Sequence, residues 1–170
     1  MSDFLSDRVQ NVKPSATLAV TAKATELKSQ GIKIVPMGSG EPDFDTPLNI
    51  QQAGIQAIND GLTRYTPVDG TTDLKYAIIE KFKRDNNLNY SLTEVMVSSG
   101  GKQVFYNLCQ SAINPGEEVV IPSPFWVSYP DMVLLADGVP VIVETGIEEN
   151  FKISPEQLEN AITDRTKLFV

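Results

Sequence analysis

Residues 95–112 read VMVSSGGKQVFYNLCQSA, and they combine a short apolar run, two glycines and a helical pattern. The apolar run predicts a strand at Val95–Ser98, and the helical spacing of apolar residues after the glycines predicts a helix over 102–113. A strand that turns through glycines into a helix directs backbone N–H groups and the positive end of the helix dipole at one point, which suits a phosphate. The alternative is a purely structural turn, in which the glycines let the helix pack closely on the strand.

Strand and helix patterns alternate from Glu94 to the last residue. The predicted strands are 118–121, 139–144 and 166–170, and helices are predicted around 127–136 and over 154–162, with Ser154 as the N-cap and Pro155 at the first helical position. Repeated strand–helix units predict an α/β fold with a mainly parallel sheet and helices on both faces.

The first half of the chain is predicted to be mainly helical. Helices are expected over 15–30, 48–60 and 71–86, separated by an extended segment or strand at Ile32–Met37 and by turn-rich loops at 38–47 and 65–70. The helix over 71–86 is strongly amphipathic, so its apolar residues are expected to face inward and its charged residues outward. The inward set is Leu74, Ala77, Ile78, Ile79 and Phe82.

Composition excludes several classes of function. The chain has 170 residues, 41% of them hydrophobic, and a formal net charge of −8, which argues against binding to nucleic acid or to anionic membranes. No apolar run approaches the length of a membrane span, and the first residues lack the pattern of a signal peptide, so we expect a cytoplasmic protein.

The absence of histidine removes much familiar chemistry. Catalysis by Ser-His-Asp or Cys-His groups is excluded within these residues, and we expect no metal site. The single cysteine, Cys109, lies on the apolar face of the helix after Lys102 and is expected to be a core residue rather than a nucleophile.

The sequence stops at Leu168-Phe169-Val170, which has the pattern of a buried strand with no turn or polar tail after it. Functional loops in α/β sheets follow the carboxyl ends of strands. We therefore expect the chain to be the N-terminal part of a longer protein.

Five segments together carry a resemblance to a known family. They are 13–17 (KPSAT), 38–47 (GSGEPDFDTP), 65–70 (YTPVDG), 97–107 (VSSGGKQVFYN) and 122–130 (PSPFWVSYP). In their order and spacing the chain resembles the fold-type I, pyridoxal-phosphate-dependent class I aminotransferases, and within them the bacterial aspartate aminotransferase branch that includes prephenate aminotransferases. Any one of these motifs is weak, but five in order are specific.

The resemblance implies a pyridoxal 5′-phosphate site. In such enzymes the glycine turn holds the cofactor phosphate, so Gly100, Gly101 and Lys102 are the phosphate-binding candidates. Trp126 corresponds to the aromatic residue that stacks on the pyridine ring, and Tyr65 to a tyrosine that reaches the phosphate of the neighbouring subunit, which implies a homodimer. The structural alternatives are core packing for Trp126 and an ordinary half-buried tyrosine for Tyr65.

The resemblance also implies three substrate-binding residues. Gly40 corresponds to the backbone position that meets the substrate carboxylate, and Trp126 borders the substrate as well as the cofactor. Lys13, just before Pro-Ser-Ala-Thr, corresponds to a lysine associated with prephenate, whose second carboxylate it could pair with. The alternatives are a plain turn glycine and a solvated lysine.

No catalytic residue is assigned in this chain, because the family's Schiff-base lysine lies beyond Val170. The resemblance further implies a cis Ser123–Pro124 bond. It also implies an N-terminal arm and small-domain segment over 1–47, followed by the first part of the large cofactor-binding domain over 48–170.

The implied activity is transfer of an amino group between an L-amino acid and a 2-oxo acid. The amino acid would be aspartate, or arogenate, which is the amino acid formed from prephenate. Two alternatives stay open. One is a non-catalytic phosphate-binding α/β module, although the glycine turns match neither a Walker A loop nor a dinucleotide fingerprint. The other is a pyridoxal-phosphate-dependent β-eliminating lyase of the same fold. The sequence does not separate aspartate from prephenate or aromatic substrates.

Overall fold

The computed structural model describes residues 4–38 and 40–170. By their contacts the described residues fall into two units: one contains the residues up to Lys13 together with Ser98–Val170, and the other is Pro14–Val97. In chain order the helices are α1 (Asp7–Gln10), α2 (Ala16–Ser29), α3 (Leu48–Asn59), α4 (Thr72–Asn86), α5 (Gly101–Ala112), α6 (Ser128–Leu135) and α7 (Pro155–Ala161). The strands are β1 (Glu118–Ser123), β2 (Val139–Glu144) and β3 (Thr166–Phe169), and a short 3₁₀ helix spans Leu92–Glu94.

The first unit contains a parallel sheet in the order β2-β1-β3. Strand β1 pairs with β2 in continuous register from Glu118↔Val139 to Ser123↔Glu144. Its pairing with β3 is interrupted between Glu118 and Val119 by a local irregularity. The helices that follow β1 and β2 are the crossovers that parallel strands require, so the predicted α/β fold with a parallel sheet is confirmed.

The core of this unit lies where α5 and α6 meet the central strand. Val119 and Ile121 of β1 belong to one buried cluster with residues of the two helices and the residue that follows each, namely Phe105, Cys109, Ile113, Met132, Val133 and Ala136. Successive side chains of a strand point to opposite faces. Val120 therefore faces away from this cluster, and it too is fully buried. Both faces of the central strand are covered, as the sequence predicted.

The predicted helix boundaries agree with the structure within a residue or two. The Ser15 side chain accepts a hydrogen bond from the Leu18 N–H (3.4 Å) and caps α2. Ser154 caps α7, with Gln157 completing a capping box and Pro155 at the first turn. Among the helices of the described residues, none is both long and apolar enough to cross a bilayer.

The strand predicted at Val95–Ser98 is wrong for this chain. The backbone there is not part of a ladder with any strand in the described residues. Instead the Val97 N–H donates to the Asp69 carbonyl (3.0 Å), and Met96 is 65% exposed. An apolar run gives a segment its extended character, but a strand also needs a neighbour that accepts its ladder hydrogen bonds. Ile32–Met37 is likewise extended without a ladder.

Glu118, at the amino end of β1, is a buried carboxylate with a full set of partners. Its side chain is 4% exposed. It accepts hydrogen bonds from the Thr163 hydroxyl (2.6 Å) and from Arg165 Nε (2.9 Å) and Nη2. These bonds, first that of Thr163 and then those of Arg165, hold the pKa of Glu118 below its usual value near 4.5. The group ties β1 to the turn that precedes β3.

We expect this group to make stability depend on acid pH. A folded-state pKa below the unfolded value near 4.5 gives stability that is present above that pH and lost as the pH falls through the folded-state pKa. Glu118→Gln should unfold more easily at neutral pH and lose part of the wild-type pH dependence below about pH 4.5. Denaturant unfolding at several pH values measures this, with the exposed Glu159→Gln as control. Identical pH profiles for Glu118→Gln and wild type would contradict the prediction.

Candidate functional site

The glycine turn before α5 has a backbone that side chains other than glycine's rarely allow. Gly100 has φ 87° and ψ 163°, a region of φ/ψ space that is essentially restricted to glycine. Its N–H donates to the Ser98 carbonyl (2.8 Å), and its carbonyl accepts from the Val104 N–H (3.2 Å). A Cβ built on Gly100 or Gly101 would meet no atom within 4 Å. The turn therefore presents open backbone at the start of a twelve-residue helix.

The first amides of α5 are available to a ligand, because a helix offers its first N–H groups no carbonyl four residues earlier. Gln103 steadies the turn in front of them, since its Oε1 accepts a hydrogen bond from the Ser99 N–H (2.6 Å). Sequence reasoning missed Gln103. Glutamine at the third position of a helix commonly accepts a hydrogen bond from a backbone N–H at the helix start, and that signal could have found it.

Four of the predicted site residues border one open cleft of about 650 Å³. It is lined by Gly100, Gly101, Lys102, Val104, Phe105, Leu108, Trp126 and Tyr129. The glycine turn and Lys102 come from the start of α5, and Trp126 comes from the loop after β1. A helix N-terminus thus meets a loop at the carboxyl end of a parallel strand, which is where α/β sheets bind ligands.

Trp126 is held along one edge by Tyr129 and is partly exposed to solvent. Its ring meets Tyr129 edge-on, with centroids 5.4 Å apart and an interplanar angle of 87°. Tyr129 in turn meets the buried Phe105 at 4.8 Å and 69°. Trp126 remains 41% exposed, so the structure does not support the alternative that it is a core residue. Tyr129 was not predicted as part of the site, although an aromatic three residues after Trp126 at a helix start is a signal for it.

The Lys102 ammonium lies 5.0 Å from the centroid of the Trp126 ring. A cation–π contact at an exposed site is worth only about 0.5–1 kcal/mol. A doubly charged anion at the start of α5 would be a stronger partner than the indole face. Lys102 can therefore turn toward such an anion at little cost.

The loop that carries Trp126 is held by hydrogen bonds to its backbone carbonyls. The Thr145 hydroxyl, just after β2, donates to the Ser123 carbonyl, and the Tyr129 N–H donates to the Trp126 carbonyl (3.0 Å). The Ser123–Pro124 bond is cis, which confirms the prediction from the resemblance. Thr145 is a further residue that sequence reasoning missed, because its partner lies 22 positions away.

Comparison with known proteins decides the family. The sequence pattern described as "Aminotransferase class I and II" matches residues 32–170. The chain belongs to the class I and II aminotransferases. An aspartate/prephenate aminotransferase of Nitrosomonas europaea is 63% identical over 166 residues, which are 98% of this chain and 42% of that protein.

Solved aminotransferases show the same fold over the same part of their length. An aspartate aminotransferase from Rhizobium meliloti superposes with a TM-score of 0.94 at 42% identity, covering 97% of this chain and 41% of the other. The Thermus thermophilus aspartate aminotransferase with maleate gives a TM-score of 0.92 at 50% identity, over 97% and 43%. This aminotransferase chain thus spans about two fifths of the length of its relatives.

Three further predicted residues of the aminotransferase site are not among those that line this cleft. Tyr65 and Gly40 belong to the second unit, Pro14–Val97. The Tyr65 side chain is fully exposed, which excludes the ordinary half-buried tyrosine within this chain. Gly40 has open space at its Cβ position, and its neighbour Ser39 lies outside the described residues. Lys13 is exposed. The roles implied for these three residues, and the domain boundary at 47, stay predictions.

Cys109 is fully buried in the core of the aminotransferase chain. Burial raises the pKa of its thiol above the usual value, so the reactive thiolate is disfavoured. The prediction of a core cysteine is confirmed. Among the described residues, no group of three or more His, Cys, Asp or Glu side chains is arranged to hold a metal ion.

Proposed function

We propose that the protein is a pyridoxal-phosphate-dependent aminotransferase of the aspartate/prephenate type, and that this chain supplies its phosphate cradle and ring platform. The observation that carries the proposal is the cleft in which the Gly100 turn, the start of α5 and Trp126 come together. The family membership and the names of the relatives support the same reading. Since the chain spans only 42% of such a relative, activity is a property we propose for the protein as its gene encodes it.

The residues present fit the phosphate of this cofactor. Gly100 and Gly101 leave open space beside the first amides of α5, so an anion can approach the backbone without meeting a Cβ. Lys102 adds a full positive charge, and within residues 4–38 and 40–170 the contact of its ammonium is with the Trp126 ring. Backbone donors, helix dipole and ammonium then converge on one phosphate.

The residues also fit a flat conjugated ring. Trp126 offers an indole face braced from one edge by Tyr129, which orients a pyridine ring and leaves its other face free for a substrate. When bound, the cofactor supplies the conjugated system that takes up the electron pair released at the α-carbon of the amino acid. The work of these residues is to bind and orient, and to keep the reacting face in one place.

We place no proton transfer on a side chain of this chain. No histidine is available, and Lys102 is assigned to the phosphate. Under the proposal the group that moves the α-proton is the Schiff-base lysine, which the resemblance puts after Val170.

A dicarboxylate is the substrate class that the proposal favours. One relative is named for aspartate and prephenate, and another was solved with maleate. Under the proposal the backbone at Gly40 meets the α-carboxylate and Lys13 pairs with the second carboxylate of prephenate. Tyr65, fully exposed within its own chain, reaches the phosphate site of a second copy, so the working form is a homodimer.

The proposal is tested by assay of the protein as its gene encodes it. We expect amino transfer from aspartate to a 2-oxo acid that depends on added pyridoxal phosphate. A parallel assay uses an amino acid that carries a leaving group on its β-carbon, such as a cysteine thioether. Release of that group together with ammonia and pyruvate, without amino transfer, would instead identify a β-eliminating lyase. Binding of the cofactor without any turnover would identify the non-catalytic phosphate-binding module.

Lys13→Ala should lower kcat/KM for prephenate far more than for aspartate. Losing one charged hydrogen bond to the second carboxylate corresponds to about tenfold or more, and aspartate is expected to lose little. Steady-state kinetics with both substrates measures the split. The variant Lys33→Ala, at an exposed position, controls for net charge and should leave kcat/KM unchanged for both substrates. No loss for either substrate with Lys13→Ala would leave Lys13 as a solvated lysine, and equal losses for the two would contradict its pairing with the second carboxylate of prephenate.

A further inference from the structure

Lys75 is a buried lysine that the amphipathic pattern of α4 placed on the solvent side. Its side chain is 8% exposed, and its Nζ donates to the Asp69 carboxylate, whose side chain is 46% exposed. A lysine is almost never this deeply buried unless it is paired. Its neighbour Leu74, expected to face inward, is 46% exposed. Since a charged side chain is buried here while the neighbouring leucine is exposed, we infer that the Lys75–Asp69 pair holds the loop that contains Asp69 in position.

Asp69, the partner of Lys75, holds the loop of residues 65–70 against the segment of residues 95–97. The hydrogen bond from Lys75 is the first cause that lowers the pKa of Asp69, so the carboxylate stays charged. The Asp69 carbonyl accepts the Val97 N–H (3.0 Å). One residue therefore joins the buried ammonium through its side chain and the extended segment through its backbone.

Gly70 closes the same contact. Its φ is +102°, and a Cβ there would lie 2.7 Å from Val97 Cγ2. The Gly70 N–H donates to the Pro67 carbonyl (3.1 Å). The loop is thus packed tightly at Asp69–Gly70, while Tyr65 at its other end is fully exposed. Nothing in the described residues packs on the Tyr65 ring, so its direction depends on the anchored end of the loop.

We propose that Lys75 is a positioning residue, whose buried ammonium fixes the Tyr65–Gly70 loop through Asp69 and so presents the Tyr65 phenol to a phosphate ligand. The phosphate half of this statement rests on the proposed function. The anchoring half does not, because it follows from contacts within Pro14–Val97 alone.

Hydrogen exchange of the ligand-free protein tests the anchoring half. Lys75→Met removes the charge and keeps most of the apolar stem, and Asp69→Asn removes the other charge and keeps the shape. Both should speed amide exchange at Gly70 and Val97 about tenfold relative to wild type, since each loses a charged hydrogen bond that closes the loop. Exchange in α2 and α3 should stay unchanged. The control Lys83→Met, at an exposed position of the same helix, should leave amide exchange at Gly70 and Val97 at the wild-type rate.

Binding of pyridoxine 5′-phosphate and of pyridoxine to the protein as its gene encodes it tests the phosphate half. Lys75→Met should weaken the binding of pyridoxine 5′-phosphate about tenfold and leave the binding of pyridoxine unchanged. If wild type binds neither probe, the proposed function fails, and the exchange pattern still decides the anchoring role. A uniform rise in exchange over the whole unit, or equal weakening of both probes, would show that Lys75 only stabilises the fold and would overturn the proposal.

Discussion

Gly100→Ala is expected to weaken binding of pyridoxal phosphate by about tenfold or more. Alanine at φ 87° and ψ 163° would carry strain of about 1–3 kcal/mol, which the turn relieves by rotating out of this conformation. The first amides of α5 then no longer converge on the phosphate. Equilibrium titration with the cofactor, read by absorbance, measures the change.

Gly116→Ala is the matched control for backbone strain. Gly116 has φ +82° and, like Gly100, open space where a Cβ would stand. It lies in the turn before β1 rather than at the cleft. Both variants should lose stability, and only Gly100→Ala should lose cofactor affinity. An unchanged affinity in Gly100→Ala, or an equal loss in both variants, would contradict the assignment of the turn to the phosphate.

Ile121→Ala should produce the largest loss of stability. Ile121 is 1% exposed and belongs to the buried cluster that joins β1 to α5 and α6. Removing a fully buried isoleucine side chain to its Cβ costs about 2–5 kcal/mol, because the cavity cannot collapse completely. Since domains of this size are stable by about 5–15 kcal/mol, the variant loses a large share of its free energy of unfolding. Denaturant unfolding by circular dichroism measures it.

Ile142→Ala provides a control in the same sheet. Ile142 is the register partner of Ile121 on β2, yet it is 41% exposed. Its loss should cost about 1 kcal/mol or less. Similar costs for the two variants would mean that the core does not lie where α5 and α6 meet β1.

The strands and helices of the first unit were predictable because each carries a local signal. The apolar runs at 118–123 and 139–144 sit between turns, and Ser154-Pro155 marks a helix start. The strand at Val95–Ser98 failed because pairing is not a local property. Its hydrogen bond goes to Asp69, a loop residue 28 positions earlier, and no periodicity in the run could show that.

Side-chain faces were less predictable than element types. On α5 the apolar residues at helical spacing include Phe105 and Cys109, which are buried, but also Val104 and Leu108, which are 51% and 43% exposed. On α4 the buried Lys75 reversed the expectation for charged residues. Hydrophobic periodicity identifies a face, but the width of that face depends on which elements pack against it.

The site shows the same division between local and distant signals. Gly100, Gly101, Lys102 and Trp126 were named from the sequence, and the structure brings them to one cleft. The residues that hold them, Tyr129, Gln103 and Thr145, were missed. Gln103 and Tyr129 lie three residues from Gly100 and Trp126 and carry local signals that could be recognised. Thr145 acts across 22 positions on the Ser123 carbonyl, and nothing local indicates it.

The most direct test of the account uses Trp126, the single tryptophan of the chain. Its fluorescence is titrated with pyridoxine 5′-phosphate, which has the ring and the phosphate but no aldehyde to react with surface lysines. We predict saturable quenching by pyridoxine 5′-phosphate and none of comparable strength by unphosphorylated pyridoxine. Inorganic phosphate should compete with the phosphorylated probe and reverse the quenching. Gly100→Ala should weaken the binding that causes the quenching, and Gly116→Ala should not. Quenching of equal strength by both forms of the vitamin, or quenching indifferent to Gly100→Ala, would show that the glycine turn and Trp126 do not form one cofactor site.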